Sequence, residues 1–297
     1  MARGQPLFSV VIPTYARPAQ LSECLEALAG IQLPDESFEV VVVDDGSGAP
    51  PEAVVHRFRD RLDVSLLVAA HGGPAAARNH GVARARGRFL AFTDDDCRPA
   101  PQWLHALAER FATVPEHIVG GRTLNALTHN AYARTSQLIL DVAYAYYNDH
   151  GRTARFFASN NLALPADRFR ALGGFDPSFS TSEDRELCDR WLREGYGMTY
   201  APEALIYHAH LLSLRRFWRQ HFGYGRGAYR FHHIREQRGA GRFRPDLTFY
   251  RKLAAAPFTE EHGVRMLVTA ALLLFSQLAN SVGFLYEQQR RAEPARP

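Results

Sequence analysis

The chain has 297 residues, 46% of them hydrophobic and 22% charged, which excludes a disordered or fibrous class and leaves room for one large core or two small ones. Its formal charge is +4, and its cations are almost all arginine, Lys252 being the one lysine. The three cysteines, Cys24, Cys97 and Cys188, are widely spaced and form no CxxC, which argues against a disulfide framework or a zinc knuckle and for a reducing compartment.

The N-terminal stretch shows no long apolar run ahead of a cleavage-type site, so no secretory signal is expected there. "LFSVVIPTY" (residues 7–15) then reads as a buried strand. In "RPAQLSECLEALAG", Leu21, Cys24, Leu25 and Leu28 recur at helical spacing, and Gly30 ends the pattern. "FEVVVVDDGSG" is a second buried strand, running into Asp44 and Asp45. A looser charged segment leads to a third strand, "VSLLVAA", and "GGPAAARNHGVARAR" opens a helix behind Gly-Pro. "RFLAFTDDD" is a fourth strand, running into Asp94, Asp95 and Asp96.

Strand and helix alternate, which predicts an α/β fold: a Rossmann-like, mostly parallel sheet with flanking helices. Ligands of such sheets bind beyond the carboxyl ends of the strands. The polar tips at residues 13–15, 44–47 and 94–96 all fall on that rim. Three adjacent carboxylates repel one another, and a hard divalent cation, Mg²⁺ or Mn²⁺, relieves the repulsion. The alternative for an isolated Asp triplet is a solvated acidic turn; at the end of a buried strand the cation is the better reading.

Farther on, "PQWLHALAERF" reads as a helix, and "FFASNNLALPADRFRALGGFD" as a strand, a Pro-led helix and a Gly-Gly turn. "SEDRELCDRWLREG" opens a helix at Ser182 with Glu183 and Asp184 in its first turn, where acidic groups also suit the helix dipole. "MTYAPEALIYHAH" is a strand ending near His208 and His210.

From about residue 211 the pattern changes to arginines interleaved with aromatic residues, and residues 266–286 carry no charge. That stretch is just long enough to span a bilayer, but Ser276, Gln277, Asn280 and Ser281 weaken a spanning reading. A buried hairpin, a dimer helix and a monotopic anchor stay open. Contact with a membrane surface through residues 211–290 is favoured, and no nucleic-acid partner is expected. Residues 1–210 and 211–297 are thus expected to form a catalytic domain and a C-terminal helical extension.

"SVVIPTYARP", "VVVDDGS", "GPAAARNHGVARARGRFLAFTDDD", "GGFDPSFSTSEDRELCDRW" and "IYHAH", in this order, resemble the motifs of family 2 glycosyltransferases with the GT-A fold, which are inverting enzymes. The resemblance implies transfer of a sugar from a nucleotide-diphosphate donor (UDP, GDP or dTDP) to a saccharide or lipid-linked acceptor. It places Pro13, Tyr15, Asp44, Asp45, Arg78, Asp94 and Asp95 around the donor. Asp94 and Asp96 fit the outer positions of the DxD metal motif, with Mn²⁺ or Mg²⁺ as cofactor and His208 either a third ligand or a structural histidine. The "ED" pair makes Asp184 the catalytic base, with Glu183 beside it. Asn160, Asn161 and the "GGFD" turn resemble acceptor-side segments, with turn chemistry as the alternative. A nucleotidyltransferase would need a glycine-rich, lysine-bearing loop after the first strand, which "PTYARPAQL" lacks. The expected location is the cytoplasm, at the inner face of the cell membrane.

Overall fold

The structure, a computed structural model, describes residues 5–33, 37–148 and 154–292. The chain divides into two compact units, one of Met1–Ala126, His150–Ser178 and Asp184–Ala209, the other of Leu127–Asp149, Phe179–Glu183 and His210–Pro297.

The first unit begins β1 (Phe8–Thr14), α1 (Pro18–Ala29), β2 (Phe38–Asp44), α2 (Glu52–His56), β3 (Val64–Val68), α3 (Pro74–Val82), β4 (Phe89–Phe92). It continues with β5 (Cys97–Pro99), α4 (Trp103–Thr113) and β6 (Ile118–Asn125). After α5 (Ala131–Asn148), which belongs to the second unit, come β7 (Leu162–Pro165), α6 (Ala166–Ala171), α7 (Glu183–Arg193) and β8 (Met198–His208). The eight strands form one sheet in the order β3-β2-β1-β4-β7-β6-β8-β5. The pairs β2–β3, β1–β2, β1–β4 and β6–β8 are parallel; β7 runs antiparallel to both its neighbours, and β5 to β8. The mostly parallel expectation holds, and β7 is the reversal that joins the two parallel halves.

β1 is buried on both faces because helices cover both. Val10 and Ile12 pack with Leu21, Leu25, Trp103 and Leu107 of α1 and α4, and each such buried side chain contributes roughly 1.5–3 kcal/mol. Val11 points the other way, to α3. A Cβ on Gly81 would stand 2.6 Å from a Val11 methyl and 3.0 Å from a Val43 methyl, so that glycine sets how close α3 lies to the sheet.

Residues 118–125 carry no clear strand pattern, because Gly120 and Gly121 break the alternation. Both are sites of close approach: a Cβ on Gly120 would meet the Phe157 ring at 2.0 Å, and one on Gly121 the Ala204 carbonyl at 2.1 Å. The β6–β8 register slips between Gly121 and Arg122, which face Ala201 and Leu205. Asn161 closes the gap. Its Nδ2 donates to the carbonyls of Arg122 (3.0 Å) and Ala204 (2.9 Å), and its Oδ1 accepts from Trp103 Nε1 (2.9 Å). Asn161 is a brace across the irregular part of the sheet.

The second unit holds α5, α8 (Leu214–Gln237), α9 (Leu247–Glu260) and α10 (Gly263–Ala292). Asp246 caps α9 by accepting from Thr248 N and Phe249 N. Phe217 stacks on Phe275, a Cβ on Gly283 would meet the Phe222 carbonyl at 2.0 Å, and Arg226 reaches Glu287. The contacts advance in step, so α8 and α10 run side by side in the same direction. Glu287 is fully buried and accepts from Arg226 (2.8 Å), Arg230 (3.1 Å), Arg290 (3.2 Å) and Arg291 (3.3 Å). Burial pushes its carboxyl upward, but these arginines outweigh burial and bring it down to about 2.

Asn161→Ala would leave the buried Trp103 N–H and two carbonyls without their partner. We expect a loss of roughly 2–4 kcal/mol in urea unfolding, against less than about 0.5 kcal/mol for an exposed control such as Gln32→Ala.

Candidate active site

The carboxyl ends of β1, β2 and β4 meet at one rim. Asp45 N donates to the Thr14 carbonyl (2.9 Å), joining the tips of β1 and β2. The Asp45 carboxylate accepts from Gly72 N (2.8 Å) and Gly73 N (2.9 Å) at the start of α3, and His71 Nδ1 lies 3.0 Å from its Oδ2. A carboxylate at a helix N-terminus suits the dipole. Gly73 has φ +84°, the turn that aims these N–H groups at Asp45. Tyr15 is half exposed, and its ring centre lies 4.6 Å from that of His71. Pro13 pairs in register with Val43 on β2. Asp44 is fully buried; its Oδ2 accepts from Ser47 N (3.0 Å), and its Oδ1 has no hydrogen-bond partner among the described residues.

The aspartate triplet after β4 divides between two arginines, Arg78 for Asp94 and Arg17 for Asp95 and Asp96. Asp94 pairs with Arg78 Nη2 at 2.6 Å. Asp95 accepts from Thr14 Oγ1 (2.7 Å) and Arg17 Nη1 (3.2 Å). Asp96 also accepts from Arg17 Nη1 (3.2 Å), and His208 Nε2 lies 3.2 Å from its other oxygen. Burial raises the Asp95 carboxyl; Arg17 and Thr14 pull it back, Asp96 and Asp94 push it up, and the balance stands at about 6. Burial lowers the His208 imidazole, but the hydrogen bond to Asp96 and that charge outweigh it, and the net shift is upward.

β8 delivers His208 opposite Cys97 on β5. Ligand atoms of Asp96, Cys97 and His208 lie within 4.8 Å of one another. Burial, with Asp94 and Asp96 near, pushes the Cys97 thiol well up, so it offers no thiolate. The donors left are carboxylate oxygen and imidazole nitrogen, a set that suits Mn²⁺ and, less well, Mg²⁺. Asp94, the other expected ligand, is turned to Arg78.

Arg78 is itself buried and held from below. Its guanidinium carbon lies 5.6 Å from the centre of the Phe175 ring. Asn79 clamps Phe175 by donating to its carbonyl (2.7 Å) and accepting from its N–H (2.9 Å). Arg190 donates to the carbonyls of Leu172 (2.7 Å) and Gly174 (2.6 Å). The "GGFD" turn is therefore the platform under Arg78. Asp184, in the first turn of α7, accepts from Ser159 N (3.3 Å) and Arg185 N (2.7 Å) and is half buried; Glu183 is buried.

Sequence reasoning missed Arg17, His71, Asn79 and Arg190. Arg17, Asn79 and Arg190 lie inside motifs already singled out and His71 lies beside one, but nothing in their spacing names a partner.

The sequence model of glycosyl transferase family 2 matches residues 9–171. The chain belongs to glycosyl transferase family 2. The pre-mycofactocin glycosyltransferase of Mycobacterium tuberculosis is 32% identical over 226 residues, 74% of this chain and 46% of that family member. Validoxylamine A glucosyltransferase of Streptomyces hygroscopicus is 32% identical over 229 residues, 67% of this chain and 51% of its own length. The chain thus spans about half the length of these curated relatives. Among solved structures, the mannosyltransferase PcManGT from Pyrobaculum calidifontis, in complex with GDP-Man and Mn²⁺, superposes with a TM-score of 0.63 at 19% identity, covering 97% of this chain and 80% of that one. Residues 1–349 of S. aureus TarS superpose with a TM-score of 0.60 at 16% identity, covering 97% and 93%. The fold is of the GT-A type.

A carboxyl whose folded pKa lies above its unfolded value costs stability as pH rises between the two. For Asp95 that window runs from 3.8 to about 6. In EDTA, we expect Asp95→Asn to gain stability over the parent chain across that window and to keep the gain at pH 7, read by urea unfolding at several pH values. A constant difference across the window would contradict the assignment.

Proposed function

We propose that this chain is an inverting glycosyltransferase that moves a sugar from a nucleotide-diphosphate donor to a hydroxyl of a saccharide or lipid-linked acceptor. The carrying observation is the gathering of Asp94, Asp95 and Asp96 at the rim where the fold binds ligands, Asp94 on Arg78, Asp95 on Thr14 and Asp96 beside His208, with Arg17 shared by Asp95 and Asp96. Residues 1–210 form the catalytic domain in this reading, and 211–297 the helical extension.

Tyr15, with His71 against it, offers a face to the base, and Pro13 shapes the pocket floor. Asp45, using its two oxygens on three protein groups, keeps one lone pair for a base N–H, and Asp44 backs it. Asp96 and His208, with Asp94 or Asp95, would hold a divalent cation. That cation, when bound, supplies Lewis-acid stabilisation of the leaving diphosphate. Arg78, fixed by Phe175 and Asn79, meets the same developing negative charge. Asp184 takes the proton of the acceptor hydroxyl as its oxygen bonds the anomeric carbon. The bond from that carbon to the diphosphate oxygen breaks with its electron pair leaving on the diphosphate. Glu183, buried, lies beside the base in the chain. The location proposed is the cytoplasm, at the inner face of the membrane. Solved relatives of the fold are complexed with GDP-Man and Mn²⁺ and with UDP-GlcNAc, which makes both bases the first to try.

The test is calorimetry with UDP-, GDP- and dTDP-sugars in Mn²⁺, in Mg²⁺ and in EDTA. We expect one donor to bind with metal, and Asp96→Ala to lose that binding. Asp184→Asn should keep donor affinity while turnover falls by about 10²–10⁴-fold. No donor binding under any metal would reject the enzyme reading.

A further inference from the structure

α10 is built inside out. Its buried side carries Thr269, Leu273, Ser276, Ala279, Gly283 and Glu287, one leucine among small and polar residues. Its outward side carries Leu267 (62% exposed), Leu274 (72%), Leu278 (56%) and Leu285 (54%), at the spacing of one helical stripe. A helix folded for water turns its leucines inward. Here Ser276 is fully buried while Leu274 is nearly free. The rotation is fixed by the contact of residues 280–287 with residues 222–230 of α8. Gly225 and Gly283 let the backbones touch, since a Cβ on Gly225 would meet the Asn280 carbonyl at 1.9 Å. Glu287 is tied to Arg226 and Arg230 of α8. Small residues at a close helix crossing with aliphatic side chains facing away is the packing of helices whose outer solvent is lipid.

We infer that the outward stripe of α10 lies flat in the surface of an anionic bilayer. The helix is long and apolar enough to cross a membrane, but α8 runs beside it in the same direction and carries Arg219, Arg226, Arg230 and Arg235 along the shared length. A spanning α10 would carry those charges into hydrocarbon. A flat one leaves them at the headgroups. Charge names the lipid: between residues 210 and 292 the chain has 14 Arg and Lys against 5 Asp and Glu. Exposed Phe243, Leu247 and Tyr250 stand among exposed Arg242, Arg244 and Arg251 in the α8–α9 connection and the first turns of α9, the mixture of aromatic and cationic groups that seats at a bilayer interface. A second copy of the same surface would bring like charges together.

This inference specifies the membrane location proposed above. Its test reads vesicle binding and donor binding separately, so either can fail alone. The full chain, purified without detergent, is floated with phosphatidylcholine vesicles and with vesicles containing phosphatidylglycerol. We expect flotation with the anionic vesicles, release by high salt and release by alkaline carbonate. Leu274→Glu with Leu278→Glu should lower the bound fraction about tenfold or more, with donor binding kept. Arg242→Glu with Arg244→Glu, on an exposed loop, should lower binding to the anionic vesicles alone and covers the case in which the leucine variant fails to fold. Absence of flotation, retention after the carbonate wash, or a wild-type dimer that the leucine variant splits would each overturn the inference.

Discussion

Crowded negative charge at the strand tips is the constraint on which the rest of the first unit depends. Asp44, Asp45, Asp94, Asp95 and Asp96 arrive at one rim on buried strands, where charges are screened poorly. The fold tolerates them because each is met by a donor: Asp44 by the nearby Ser47 N, and the others by groups farther off in the chain, the α3 N-terminus, Arg78, Thr14 with Arg17, and Arg17 with His208. Asp95 is raised to about 6, chiefly because it is buried, with Asp96 and Asp94 adding to the rise. A divalent cation is the complement proposed for such a rim.

Much of the remaining architecture serves to place those donors. Gly81 lets α3 sit close enough to the sheet for Arg78 to reach the rim. Asn79 and Arg190 hold the turn on which Arg78 stacks. Asn161 ties down the slipped β6–β8 pairing, so that the last residue of β8, His208, arrives in register with Cys97 and beside Asp96. A defect far from the rim therefore reaches it through backbone register rather than through side-chain contact.

The two units are packed on opposite principles. In the first, aliphatic side chains fill both faces of the sheet and polar atoms gather at its edge. In the second, α10 buries hydroxyls, glycine and a carboxylate beside Leu273 and presents Leu267, Leu274, Leu278 and Leu285 outward. The first arrangement needs only water around it. The second leaves apolar surface that something else must cover.

The sequence by itself determined the strands whose apolar runs end in carboxylates, the helices with regular apolar spacing, the rim on which the charged tips meet and the uncharged stretch of residues 266–286. These are local patterns, written in periods of 2 and 3.6 residues. Only the tertiary structure decided which way β7 runs, that Asn161 braces while Asp96 faces His208, that Arg17 and His71 join the site, and which side of α10 is buried. Each of those depends on partners distant in the chain, such as Thr14 and Asp95, 81 residues apart. Spacing along a chain does not encode which distant groups meet; packing two faces of a sheet and rotating α10 until Glu287 finds its arginines does.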